Sequence, residues 1–223
     1  MNKKLLAAMV LGAAGLAWAA PQARADTVSI GLQEAGVDGG VITTVATGSG
    51  TASYSGSYGT FTLNNITGTG TPYVPEPQVS SSSDNTSSST AGTITVYVTE
   101  TGVSSALGTY NMLSGLALTL LTGDITSVTL STYVDTSDVA YGEGTLLSTA
   151  TFKSPDSIED TTETPDFTSP YSITEVYTIT ASGAGNADNV ISVENVPEPG
   201  SLALLGTGLL GLGMIGWTRR RRV

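Results

Sequence analysis

Short runs in which apolar and polar residues alternate recur between residues 27 and 194, and they predict β-strands. In the runs 27–32 and 93–99, every second residue is Val, Ile or Leu. A period of two is typical of strands that bury one face. Clusters of Gly, Asn and Asp separate the runs, as turns between strands require. The same reasoning predicts further strands at 41–47, 60–64, 112–121, 128–134, 146–152, 171–180 and 190–194.

No amphipathic helix of ten or more residues is predicted between these runs, so the fold class is all-β. Short antiparallel strands with turns between them favour a β-sandwich-like domain. A β-solenoid is the alternative, because Thr-x-Thr occurs at 60–62, 93–95 and 99–101, although not at the fixed spacing that stacked coils require. Within the run 171–180, Glu175 falls on the same side as Ile173 and Tyr177.

One stretch of the body is too polar to predict a strand. Residues 72–90 contain Pro-Glu-Pro at 75–77 and then a serine run over 80–89 that only Asp84, Asn85 and Thr86 interrupt. Such a segment has little apolar surface to bury against the entropy cost of ordering it. The sequence therefore predicts a flexible loop or linker over 72–90.

The first twenty-five residues have the pattern of a secretory signal peptide. Lys3 and Lys4 precede an apolar stretch over 5–20, and the small residues Ala23 and Ala25 supply a cleavage site. Signal peptidase is thus an expected partner, and the exported chain is expected to start at Asp26.

The last twenty-eight residues, 196–223, consist of three blocks in order: Val-Pro-Glu-Pro, an apolar run over 202–217, and arginines at 219–222. As a helix, the sixteen residues of the apolar run would be about 24 Å long. This is short for a transmembrane helix, but it is sufficient if the bilayer thins locally. Arginines remain on the cytoplasmic side of membranes. The sequence therefore predicts one transmembrane helix with its amino-terminal end outside.

These three blocks resemble the PEP-CTERM sorting signal of Gram-negative bacteria. The resemblance implies that the membrane protease exosortase processes the chain near its motif and that the protein reaches the envelope, cell surface or extracellular matrix. A permanent single-span anchor is the alternative. The residues that carry the implied sorting role are Pro197, Glu198, Pro199, Arg219, Arg220, Arg221 and Arg222.

Charge limits the partners of the exported body, 26–195. Lys153 is its only basic residue against eighteen carboxylates, a net charge of −17. Such a chain repels phosphates, so nucleic acid is not an expected partner. The body is expected to contact the membrane only through the C-terminal segment.

The sequence lacks several of the residue types that most often carry out catalysis. The chain has no cysteine and no histidine, which removes thiol and imidazole metal sites and Ser-His-Asp triads. We therefore expect no enzyme activity and no cofactor. Two carboxylates in a groove are enough for glycoside hydrolysis, but the sequence does not select a pair.

A proline-flanked acidic cluster provides weak candidates for calcium ligands, because Ca²⁺ prefers carboxylate oxygens. The prolines predict a loop there, and a solvated acidic loop is the simpler interpretation. The cluster consists of Asp156, Glu159, Asp160, Glu163 and Asp166.

The sequence thus predicts a structural or adhesive envelope protein associated with extracellular polysaccharide, as the resemblance implies. The alternative is a carbohydrate- or calcium-binding β module, and a glycoside hydrolase with a carboxylate pair is the third hypothesis.

Overall fold

The computed structural model describes residues 26–71, 78–104, 110–164 and 170–196. In these ranges the chain forms ten β-strands and one short 3₁₀ turn, Asp38–Gly40, so the all-β prediction is confirmed. The strands are β1 (Thr27–Glu34), β2 (Thr43–Ser49), β3 (Thr51–Tyr58), β4 (Phe61–Gly70), β5 (Gln78–Ser88), β6 (Gly92–Val103), β7 (Tyr110–Asp135), β8 (Thr145–Phe152), β9 (Asp156–Thr164) and β10 (Tyr171–Val196).

All ten strands belong to one antiparallel sheet. Its main path runs β2-β1-β6-β10-β5-β4-β3, and β7 pairs with β10, β8 and β9. Every strand pairing is antiparallel, which confirms the antiparallel prediction and argues against the parallel coils of a solenoid. The two ends of the main path, β2 and β3, are consecutive in the chain, so the sheet is nearly closed.

Two long strands, β7 and β10, pass through both halves of the sheet. The first half of β10, 171–181, pairs with β6, and its second half, 185–194, pairs with β5. Between them the register with β7 breaks from Ala181 to Gly185. On β7 the bend falls at Gly123, whose φ of 65° suits glycine. The sequence pattern predicted two strands in each case, and the structure joins them.

The bends create two facing layers. The first layer contains β2, β1, β6, the first half of β10, the second half of β7, and β8. The second contains β3, β4, β5, the second half of β10, the first half of β7, and β9. The layering is sandwich-like, but the layers are halves of one bent sheet.

The alternating apolar residues meet between the layers. Val28, Ile30 and Leu32 of β1 are fully buried in the same cluster as Phe61 and Leu63 of β4. Burial of such side chains provides about 1.5–3 kcal/mol each, which makes this cluster the main source of stability. A smaller cluster includes Met112, Val134, Tyr171, Ile173 and Val193.

The predicted linker over 72–90 is wrong for residues 78–88. These residues form β5, which pairs with β4 on one side and with β10 on the other. The ladders satisfy the backbone hydrogen bonds, and neighbouring strands supply the apolar packing that the serines lack. Residues 72–77 lie outside the described ranges.

The predicted acidic loop is also wrong over 156–164. This stretch is the edge strand β9, paired with β7 through Tyr110–Leu118. Most of its side chains are exposed, and charges on an edge strand discourage pairing with another chain.

Within the four described ranges, no helix is long and apolar enough to cross a membrane. The predicted transmembrane segment, 202–217, lies outside those ranges.

Candidate functional site

A shallow depression of about 440 Å³ lies on the outer surface of the second layer. It forms where β10, β7 and β9 lie side by side. The register places its residues in two rows, Val190–Ala117–Ser157 and Ser192–Gly115–Glu159. Leu116 and Ile158 complete the lining.

Small residues account for the shape of the depression. Gly115 and Ala117 occupy the middle strand, so the floor is lower than its flanks. A methyl group added at Gly115 would lie 2.7 Å from the Ser192 hydroxyl oxygen, which shows how closely the chain packs there. Val190 is 37% exposed and adds apolar surface. Ile158 pairs with the buried Leu116, so its side chain lies on the opposite face of the sheet.

The depression presents both hydrogen-bonding and apolar groups, a combination that suits a polar ring-shaped ligand. Serine hydroxyls and the Glu159 carboxylate supply hydrogen-bonding groups, while Val190 and Ala117 supply apolar contact. Its volume is within the range of small-ligand sites. Its lining has a single carboxylate and no tyrosine. The hydrolase hypothesis requires a carboxylate pair with flanking tyrosines, which this depression does not provide.

The structure separates the calcium candidates rather than gathering them. Glu159 lines the depression, and Asp156, Asp160 and Glu163 lie along the rest of exposed β9. Asp166 lies outside the described residues. In the described parts of the chain, no group of three or more acidic side chains is arranged to hold a metal ion.

A second set of polar side chains is buried between the layers. On β5, every second residue from Ser80 to Ser88 is polar and faces inward. Glu175 of β10 is fully buried, and neither of its carboxylate oxygens has a hydrogen-bond partner. Burial raises the pKa of Glu175 to about 8, although the nearby Ser82 and Ser80 hydroxyls partly oppose that shift.

Asp84 lies on the same inward face of β5. It is fully buried and accepts a hydrogen bond from the Thr86 hydroxyl. The pKa of Asp84 is raised to about 7, chiefly by burial; the hydrogen bond from Thr86 opposes the shift, and the nearby Asp188 carboxylate contributes to it. With pKa values raised this far, both carboxyl groups are partly protonated near neutral pH, which lowers the cost of burying them.

Two glutamates form hydrogen bonds between the layers, one near each end of β4. Glu34 of the first layer accepts hydrogen bonds from the Thr60 backbone amide at 3.1 Å and from its hydroxyl at 2.7 Å. Glu100 accepts one from the Thr71 amide at 2.6 Å. Thr60 and Thr71 flank β4 of the second layer, so each carboxylate connects the two layers.

Sequence reasoning missed the inward-facing groups of β5. The signal was present, because Ser80, Ser82, Asp84 and Thr86 alternate at the strand period. Without apolar residues in the alternation, the pattern predicts a flexible loop or linker rather than a strand. The depression was also missed, because it depends on register between β7, β9 and β10.

The predicted sorting residues, Pro197, Glu198, Pro199 and Arg219–Arg222, lie outside the described residues, as do Ala23 and Ala25. Asp26 is described and is the first residue of the sheet region. It is 5% exposed.

No protein-family model matches the chain, and no curated protein matches it. Among solved structures it is similar to a carbohydrate-binding module, TmCBM61, in complex with β-1,4-galactotriose, with 7% identity over 59% of this chain and 82% of that one and a TM-score of 0.32.

Two larger proteins show a comparable likeness. The MgGH51 α-L-arabinofuranosidase is 16% identical, over 66% of this chain and 23% of its own, with a TM-score of 0.32. The enzymatically active domain of tailspike protein 4 from bacteriophage CBA120 is 14% identical, over 61% and 19%, also at 0.32. Such low TM-scores carry no information on function.

Proposed function

We propose that the protein is an exported, non-catalytic β module of the cell envelope that contacts extracellular polysaccharide and is sorted by exosortase through its C-terminal segment. The observation that carries the polysaccharide contact is the depression on β7, β9 and β10. The exposed Val190 side chain suits the CH face of a sugar ring, and the serine hydroxyls and Glu159 suit the ring's hydroxyl groups.

Charge favours a neutral polysaccharide. With Lys153 as the only base of the body, a uronic-acid polymer would be repelled unless cations screen the two surfaces. Glu159 in the lining adds to that repulsion and can accept hydrogen bonds from sugar hydroxyls.

Affinity electrophoresis in gels that contain neutral or uronic-acid polysaccharides tests the proposed contact. We expect the protein to be retarded by at least one neutral polymer, and Ala117→Trp to reduce that affinity at least tenfold because the indole fills the depression. Thr151→Trp, on exposed β8 of the other layer, is the matched control and should bind normally. Equal binding by both variants would refute the role of the depression.

Sorting is tested separately by mass spectrometry of the protein recovered from envelope fractions. We expect an amino terminus at Asp26 and a carboxyl terminus near Pro197–Pro199. Replacement of Arg219–Arg222 by Gln should leave the uncut chain in the membrane or in the wrong topology. An intact chain in the cytosol would refute export.

A further inference from the structure

Two carboxylates flank the depression on the outer face of β10. Along the second half of this strand, outward-facing residues alternate with buried ones, and Asp188 and Glu194 belong to the outward set. Asp188 lies two residues before Val190, and Glu194 lies two residues after Ser192. Since a strand rises about 3.4 Å per residue, each of the two acidic residues is about 7 Å from a residue that lines the depression.

A third carboxylate belongs to the depression itself. Glu159 of β9 lies beside Gly115 of β7, which lies beside Ser192 of β10. Neighbouring strands are about 4.8 Å apart, so about 10 Å separates the backbones at Glu159 and Ser192. Gly115 has no side chain, so the space between them is open to a ligand. Carboxylates therefore lie within the depression and at both of its ends along β10.

The three carboxylates favour a ligand with several separate positive charges. Among the described residues that line the depression, none is basic, and Lys153 is the only base between 26 and 195. Carboxylates grouped on one surface attract cations. A single metal ion does not fit them, because the described residues contain no group of three acidic side chains that could hold one. A polymer that carries one charge on each unit matches their wider spacing.

The outer face also has room for a polymer. The strand register continues one row of the depression across β5, β4 and β3. Every member of the row is small and at least partly exposed, and the row spans six strands, about 24 Å. The members are Ser53, Thr67, Ser83, Val190, Ala117 and Ser157. Several sugar residues can therefore lie along this row, with serine and threonine hydroxyls beneath them.

We propose that the depression binds a cationic amino-sugar polymer, a polysaccharide whose free amino groups are protonated. This inference rests on the proposed polysaccharide contact and names its ligand class. The sugar rings contact Val190 and the hydroxyls of the row, and their ammonium groups form charge-assisted hydrogen bonds with the three carboxylates. The net charge of the body disfavours a uronic-acid polymer and accepts a neutral one, whereas these carboxylates favour a positively charged one further.

Calorimetric titration of the purified full-length protein in detergent, at pH 6 and low salt, tests the ligand class. The two ligands are a glucosamine oligomer and its fully N-acetylated counterpart, which have the same backbone and differ in charge. We expect the amine-bearing oligomer to bind at least about fivefold more tightly, because it forms surface ion pairs that the acetylated oligomer lacks. Added salt should reduce that preference. Equal affinities would overturn the proposal.

Variants that each remove one charge locate the preference. Glu159→Gln should weaken binding of the amine-bearing oligomer about two- to fivefold and leave binding of the acetylated oligomer unchanged. Combining it with Asp188→Asn and Glu194→Gln should abolish the preference. Glu143→Gln, in the exposed connection between β7 and β8, is the matched control and should change the affinity less than about 1.5-fold. Equal losses in Glu159→Gln and Glu143→Gln would show attraction to the overall net charge and refute the site.

The outcomes distinguish this inference from the proposed function. If Ala117→Trp weakens binding of both oligomers but the wild-type protein does not discriminate between them, the polysaccharide contact stands and the cationic class is wrong. If Ala117→Trp leaves both affinities unchanged, the depression is not the binding site and both proposals fail. If neither oligomer binds, the amino-sugar class is wrong, while retardation by another polysaccharide would still support the contact.

Discussion

The Tyr177 hydroxyl and the Ser82 hydroxyl are hydrogen-bonded across the interior of the bent sheet. Tyr177 belongs to the first half of β10, and Ser82 belongs to β5 in the facing layer. Both residues are buried. The bond therefore joins the two layers at a point where β5 contributes no apolar side chain.

Removal of this bond should lower stability. We expect Tyr177→Phe to reduce the free energy of unfolding by about 1–3 kcal/mol, because the Ser82 hydroxyl loses its partner inside the protein. Denaturant unfolding measures the change. Tyr141→Phe, which removes an exposed bond to Thr44, should change the free energy by less than about 0.5 kcal/mol. Similar losses in both variants would show that the buried bond has no special role.

The buried Glu175 should make the protein less stable as the pH rises. Burial raises its pKa from 4.5 to about 8, so the folded chain holds this proton more tightly than the unfolded chain. Its stabilising contribution is therefore complete below pH 4.5 and is lost as the pH rises through 8. Between pH 4.5 and 8, one such group lowers the free energy of unfolding by on the order of 1 kcal/mol per pH unit.

Glu175→Gln should flatten this pH dependence and raise stability at pH 8 while leaving it similar at pH 4. Melting temperatures between pH 4 and pH 9 measure the effect. Glu159→Gln, on exposed β9, is the control and should leave the profile unchanged. A wild-type protein that gains stability between pH 5 and pH 8 would contradict the prediction.

Gly68 should not tolerate a side chain. A Cβ atom there would lie 2.4 Å from Cγ1 of Val98 and 2.9 Å from Cγ1 of Val28, across the interface between the layers. We expect Gly68→Ala to destabilise the protein by about 1–3 kcal/mol through overpacking. Adding Val98→Ala should restore part of that loss in denaturant unfolding, whereas the single variant Val98→Ala should be destabilising. Additive effects of the two substitutions would refute the contact.

The serine-rich strand should behave as ordered structure in solution. Because β5 pairs on both sides, the backbone amides between Ser82 and Thr86 should exchange slowly with deuterium. Amides near Gly36, in the exposed β1–β2 connection, provide the comparison and should exchange fast. Comparable rates in the two regions would restore the linker interpretation of 78–88.

Strands with apolar alternation were predictable from the sequence, and strands without it were not. The runs around Ile30 and Val96 predicted β1 and β6, because one face of each strand is apolar. β3 and β5 are rich in Ser, Thr and Gly, and they form because β4 and β10 provide partners for their backbone groups. β4 directly follows β3, but β10 is distant from β5 in the sequence, so a local pattern does not reveal that pairing.

The candidate site was predictable only in part. Glu175 showed its buried position through its place in the alternation. Glu159 was selected as an acidic residue, but its neighbours Ala117 and Val190 lie 42 and 31 residues away in the sequence. Only the register of three strands brings them together, and no spacing in the sequence encodes that register.

The passage of β10 through both layers has a mechanical consequence. Its last residue, Val196, is also the first residue of the predicted sorting segment, 196–223. A force applied there acts along the axis of a strand that is hydrogen-bonded on both sides over most of its length. Many hydrogen bonds of the ladder must break together before the strand slips. The domain should therefore resist unfolding by a force applied at the carboxyl end of β10.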